Sequence, residues 1–235
     1  MLLIHAGACD RRMWDPQWEA LTARFDAVRC DLRGSGDSPL PDEPYDDAED
    51  VRRLLDSLDI GRARVVGASF GGLVALELAS RWPERVWRLL LLSPAWTELD
   101  PDEELQRFGA EENSRLEAGD VEGAVELNVE TWLGPEASAD ARDQVRRMQR
   151  RAFDLQLAAP DGAVAKDPKA DPARIEAPTL ILSGAHDLTH FGRVASELER
   201  RIPTAGLEQL DWAGHLPSME RPEETTELLL DFLSK

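Results

Sequence analysis

Apolar residues along the chain fall into two kinds of pattern. Short continuous runs occur at Leu2–Ile4, Ala27–Asp31, Arg64–Gly67, Val86–Leu92, Thr179–Leu182 and Gly206–Leu210. Apolar character without alternation is what a strand covered on both faces requires. The intervening segments carry helical spacing. Asp15 followed by Pro16 opens one that runs to about Phe25. Within 48–58, Val51, Leu54, Leu55 and Leu58 share one stripe, and Phe70–Arg81 carries Leu73, Leu76 and Leu78 among small residues. Strand alternating with helix predicts a parallel sheet joined by right-handed crossovers, the α/β class.

The alternation stops after Ser93 and resumes at Thr179. Between them the apolar positions, among them Leu105, Phe108, Val125, Trp132, Val145 and Phe153, fit helices only. The segment Ala165–Arg174, polar and punctuated by two prolines, reads as the return link. The expected organisation is therefore an α/β core from 1–95 and 170–235, with an all-helical lid inserted at 96–169.

Composition narrows the partners. Lys and Arg number 27 against 46 Asp and Glu, a formal charge of −19. That balance argues against nucleic acid and anionic membrane surfaces, which are bound through basic patches. Hydrophobic residues make up 42% of the chain and recur periodically, so the acidity does not indicate disorder. No apolar run approaches the roughly 20 residues of a membrane helix, and no basic-then-apolar leader opens the chain. Two cysteines, Cys9 and Cys30, provide no disulfide framework. The expectation is a cytoplasmic protein.

Gly67-Ala68-Ser69-Phe70-Gly71 follows a strand pattern and opens a helical one. It fits G-x-S-x-G in the strand–turn–helix setting that gives that pattern meaning. A capping serine in an ordinary Gly-rich turn would look the same on the pentapeptide alone. A nucleophilic serine needs a base, and the chain has four histidines: His5, His186, His190 and His215. His215 lies beyond the last strand pattern, at the end of the sheet where α/β sites are built. An acid must orient the imidazole and stabilise its charged form. Asp187 follows the strand at Thr179–Leu182 and is preferred, with Asp211, Glu98 and Asp100 as rivals. No Cys/His cluster has metal-ligand spacing, and no dinucleotide or Walker fingerprint is present. No cofactor is therefore expected.

These motifs resemble those of the α/β-hydrolase fold, in the group with a helical cap inserted late in the sheet. Besides the elbow, the likeness includes His5-Ala6-Gly7 after the first strand, Asp31-Leu32-Arg33-Gly34-Ser35-Gly36-Asp37-Ser38, and the tail Gly214-His215 with Glu220-Arg221-Pro222-Glu223. It implies a doubly wound, mostly parallel sheet of about six strands. It also implies a catalytic triad of Ser69, Asp187 and His215. The oxyanion hole would be made by the backbone N–H groups of Gly7 and Phe70. Ala6 stands where the family more often has glycine, which keeps Ala8 open as the partner. His5 and Arg33 are implied to be structural, and a serine nucleophile argues against dehalogenase or epoxide-hydrolase chemistry. Members of the fold usually have two strands ahead of the one that begins this chain. The strand at 27–31 then becomes an edge, to be paired in a homodimer, covered by helices or completed by preceding residues.

Trp96, Trp132, Phe191 and Leu216 are expected to line a mainly apolar substrate cleft between core and cap. The activity implied is a serine hydrolase acting through an acyl-enzyme on small to medium carboxylic esters or lactones. A C–C bond hydrolase with the same triad, and a non-catalytic ligand-binding member of the fold, remain open.

Overall fold

The apolar runs form the six strands of one sheet in the computed structural model, which describes residues 1–167 and 169–235. Pro168, in the expected return link, lies outside the described residues. The strands β1 (Leu2–Ile4), β2 (Val28–Cys30), β3 (Ala63–Ala68), β4 (Val86–Leu92), β5 (Thr179–Gly184) and β6 (Ala205–Leu210) lie in the order β2-β1-β3-β4-β5-β6. Every neighbouring pair is parallel. The helices are α1 (Asp15–Thr22), α2 (Asp47–Ser57), α3 (Phe70–Arg81), α4 (Glu103–Glu117), α5 (Val121–Trp132), α6 (Ala139–Leu157), α7 (Thr189–Arg201), α8 (Pro217–Glu220) and α9 (Pro222–Leu233).

Side chains alternate along a strand, so one apolar run supplies two cores. Leu3, Val66, Leu90 and Leu182 pack with Leu21 of α1 and Leu229 and Leu233 of α9. Leu2, Val65, Leu89 and Ile181 pack with Leu55 of α2, Leu76 of α3 and Leu198 of α7. This two-sided cover explains the apolar runs Val65–Val66 in β3, Leu89–Leu92 in β4 and Leu180–Leu182 in β5. The expectation fails at β6, where Gly206, Glu208 and Gln209 are exposed. As an edge strand, β6 is covered less completely than the central ones. At the other edge, β2 is short and half-buried, as expected of an edge. Its Arg29 lies 4.2 Å from the Trp18 ring centroid, and a charged residue on a short strand blunts edge pairing.

Between β4 and β5 the chain forms α4, α5 and α6, with no strand among the described residues of that stretch. Asp102, Asp120 and Ser138 cap their N-termini, accepting hydrogen bonds from Leu105, Gly123 and Ala141. Val125, Val129, Val145, Met148 and Phe153 are buried in the same core as Leu182 and Leu210. Helix α4 has no fully buried residue. No helix among the described residues is long and apolar enough to cross a membrane.

The strand order reverses at β1, because β2 adds on one side of it and β3 on the other. Ligands of open α/β sheets bind beyond the carboxyl ends of the strands at such a reversal. Both the His5-Ala6-Gly7 segment and Ser69 emerge there, after β1 and β3 respectively.

Candidate active site

Ser69 links β3 to α3 with φ +50° and ψ −115°, a conformation that L side chains rarely adopt. Hydrogen bonds hold the turn in place. Ser69 N–H donates to the Leu92 carbonyl (2.9 Å), while the Ser69 carbonyl accepts from Gly72 (2.8 Å) and Ala95 (3.0 Å). The start of α3 lies hard against neighbouring backbone. A Cβ on Gly71 would sit 2.4 Å from the His5 carbonyl oxygen, and one on Gly67 would sit 2.3 Å from that of Gly71. Larger residues at either position would push the helix off β1 and move the serine with it.

His215 and Asp187 meet across 28 residues of sequence. The imidazole Nδ1 lies 2.7 Å from Asp187 Oδ2, with the two side chains 3% and 1% exposed. A carboxylate accepts, so Nδ1 carries the proton and Nε2 is left as the basic nitrogen. The other Asp187 oxygen accepts from Leu188 N–H at 2.7 Å. Among the rival acids, Asp211 and Asp100 are exposed and Glu98 pairs with Lys169. Of the other histidines, His5 is buried, donates from Nδ1 to the Ala6 carbonyl and accepts the Leu32 amide at Nε2, 2.9 Å away. Burial lowers its pKa, so it is a neutral brace for the loop. His186 is exposed, and His190 is buried on α7 against Phe191.

The histidine loop is held by a residue to which the sequence gives no role. Glu220 accepts from the amides of Gly214 (2.8 Å) and Leu216 (3.1 Å), on either side of His215, and from that of Gly134. Burial raises its pKa while the three amides oppose that rise. The His215 amide itself donates to the Trp132 carbonyl (3.2 Å). Phe191 and Trp132 flank the imidazole at centroid distances of 4.2 and 4.6 Å.

Ser69 and His215 open on one cavity of about 220 Å³, with Ala6, Gly7 and Ala8 completing its core side. Among the described residues no hydrogen bond joins Ser69 to His215. Such contacts are often long without substrate and tighten on binding. Cys9 N–H closes the turn onto the Ala6 carbonyl (2.9 Å), leaving Gly7 and Ala8 at its tip. A Cβ on Gly7 would lie 3.5 Å from that of Phe70. The Phe70 amide, the first of α3, has no intrahelical acceptor. Arg33 pairs with Asp50 at 2.8 Å, away from the cavity.

The far side of the cavity differs from the expected apolar cleft. Of the four expected lining residues only Trp132 lines it. Trp96 is buried in the opposite core, in the cluster that holds Val194 and Leu198 of α7, with Arg201 5.1 Å from its ring. Leu216 points into the core beneath the loop, and Phe191 supports the imidazole from behind. In their place stand Phe108, Phe153 and four polar side chains, Glu112, Asn128, Gln149 and Gln156. The signal for two of these was in α6. Gln149 and Gln156 interrupt the stripe of Val145, Met148, Ala152 and Phe153, where a purely structural helix would be apolar. No group of three or more His, Cys, Asp or Glu side chains among the described residues is placed to hold a metal ion.

Comparison with known proteins places this geometry among relatives. Residues 1–228 match the alpha/beta hydrolase family. A protein of Caulobacter segnis named "Putative carbamate hydrolase RutD" is 30% identical over 233 residues, covering 94% of this chain and 85% of that one. A thermophilic esterase from Thermogutta terrifontis superposes with a TM-score of 0.80 at 28% identity, covering 99% of this chain and 88% of that one. The enol-lactonase from Burkholderia xenovorans does so with 0.76 at 27% identity, covering 100% and 90%.

Proposed function

The chain belongs to the alpha/beta hydrolase family, and from that premise we propose that it is a serine hydrolase that cleaves small carboxylic esters or lactones through an acyl-enzyme. One observation carries this reading: a serine on a strained strand–helix turn and a histidine held by a buried aspartate open on the same cavity. Ser69 Oγ attacks the carbonyl, and His215 Nε2 takes its proton. Asp187 keeps the proton on Nδ1 and stabilises the imidazolium that forms. The developing oxyanion is held by the amides of Phe70 and Gly7, the first reinforced by the N-terminus of α3. The imidazolium returns its proton to the leaving oxygen. Water, deprotonated in turn by His215, then releases the acid and regenerates Ser69. Helices α4–α6 act as the cap that closes the site. The cavity volume lies below the roughly 300–1,000 Å³ of pockets for drug-sized ligands, which limits the substrate to a small molecule.

The similarity to proteins named as carbamate hydrolases favours a second substrate, since a carbamate presents the same kind of carbonyl to Ser69. Hydrolysis of a 4-nitrophenyl ester series of increasing acyl length, with a carbamate ester alongside and Ser69→Ala run in parallel, tests both. Expected is turnover that peaks at short acyl length and falls by at least about 10⁴-fold in the variant. Turnover retained in pure Ser69→Ala would overturn the serine mechanism. A carbamate preferred over every ester would replace the substrate class.

A further inference from the structure

The polar wall opposite Ser69 is built on Trp132 and Asn128, whose hydrogen bonds are fixed. Trp132 Nε1 can only donate, and it donates to Asn128 Oδ1 at 2.7 Å. That contact fixes the amide of Asn128, whose nitrogen then donates to the Ala124 carbonyl (3.0 Å) and to Glu112 Oε1. Both amide protons of Asn128 are thereby used inside the protein. The other carboxylate oxygen of Glu112 makes no hydrogen bond among the described residues. Gln149 is 4% exposed, and its Oε1 is buried with no hydrogen-bond partner among the described residues. Leaving such an acceptor unpaired costs free energy unless a ligand or water satisfies it. What the wall offers is therefore the free carboxylate oxygen of Glu112 beside the side-chain amide of Gln149, on a frame of Trp132 and Asn128.

No Lys or Arg side chain lines this cavity among the described residues. The arginines of α6 near Gln149, Arg147 and Arg151, face a separate cleft together with Asp10, Asp31 and Asp37. The site thus lacks a cationic group with which to hold a substrate carboxylate. The net charge of −19 acts in the same direction at longer range, since it attracts cations and repels anions.

We propose that Glu112 and Gln149 form a specificity site for a hydrogen-bond-donating group, foremost a primary ammonium, on the substrate remote from the reacting carbonyl. The inference rests on the serine-hydrolase reading above and names its substrate class: small amino or hydroxy esters and lactones, and not those bearing a free carboxylate. The ammonium donates to the free oxygen of Glu112, with the Gln149 side-chain amide turning its oxygen toward it as the second acceptor. A charge-assisted pair of this kind out of bulk water is strong enough to dominate the choice among small substrates.

The test uses the intact chain and isosteric esters. One series varies the acyl group over a common 4-nitrophenol, with the enzyme-free rate subtracted: 3-aminopropanoate, 3-hydroxypropanoate, butanoate and the succinate half-ester. A second series varies the alcohol over a common acetate, as 2-aminoethyl against propyl. Expected is a kcat/KM at least about tenfold higher for the ammonium compound than for its alkyl isostere in one of the two series, with the succinate poorest in the first. In Glu112→Gln that ratio falls to near one, and in Gln149→Leu it falls by roughly threefold. Each ratio is taken within one enzyme, so partial misfolding of a variant does not alter it. Equal kcat/KM for ammonium and alkyl compounds in both series of the active wild type, or an unchanged ratio in both variants, overturns the proposal. A wild type that hydrolyses no member of either series overturns the serine-hydrolase reading instead.

Discussion

The two sides of the cavity are built by different means. On the core side the backbone decides: a turn at φ +50°, free amides at the tip of the loop after β1 and at the start of α3, and a histidine loop held through its own peptide groups by Glu220. On the side of the inserted helices, side chains decide. Glu112, Asn128 and Gln149 stand on three different helices, α4, α5 and α6. Backbone geometry constrains residue type severely, since only glycine fits at Gly67 and Gly71. A helix face accepts almost any residue that packs. One side can therefore be held constant while the other is altered, which is how one fold serves many substrates.

The sharpest division between the sides comes from Asp187→Asn. If the core side performs the chemistry, kcat falls by about 10³–10⁴-fold because the imidazole loses its fixed tautomer, with the fold intact. Near-wild-type kcat in this variant, alongside an inactive Glu98→Gln or Asp100→Asn, would move the acid to the loop after β4. Glu220→Ala comes next. It strips three amides of their buried acceptor, so thermal unfolding should show a loss of about 2–4 kcal/mol, and an unchanged Tm would remove Glu220 from the frame of the histidine loop.

A third measurement concerns α3, the helix behind Ser69. Glu77 is buried there, and burial together with the nearby Asp46 carboxylate pushes its pKa up to about 8, with Arg81 opposing. The folded protein thus holds a proton on Glu77 that the unfolded chain releases near pH 4.5. Stability should fall as pH rises from about 4.5 to about 8. Glu77→Gln removes that loss, raising stability by about 2 kcal/mol at pH 8.5 and by little at pH 5. Equal gains at both pH values would refute it. The smallest effect belongs to Arg33→Ala. Its pair with Asp50 is partly exposed, so denaturant unfolding should show less than about 1 kcal/mol of change and kcat should be untouched. A large loss of kcat would carry the chemistry into the Asp31–Ser38 loop.

The same division explains what could be read from the chain in advance. The strands stand out because the middles of β3, β4 and β5 are buried on both faces, which favours apolar runs there and confines Arg64 and Arg88 to the strand starts. Ser69 stands out because its turn admits only glycine at 67 and 71, and His215 and Asp187 because each lies on the loop that follows a strand. Trp96 and Leu216 misled because a large apolar side chain beside a site serves the core equally well. Phe191 lies against His215 without reaching the cavity. Asn128 and Gln149 left only a polar break in an apolar stripe, and Glu112 lies on a helix with no fully buried residue to mark its inner face.

The sequence by itself determined the α/β alternation, the helical insertion and the residues of the elbow, since each follows from local periodicity or from steric limits on one turn. Only the tertiary structure decided what faces Ser69 across the cavity. That depends on how α4, α5 and α6 pack against one another and against the sheet, and packing sums weak contacts among residues far apart in the chain, none of which specifies its partner alone.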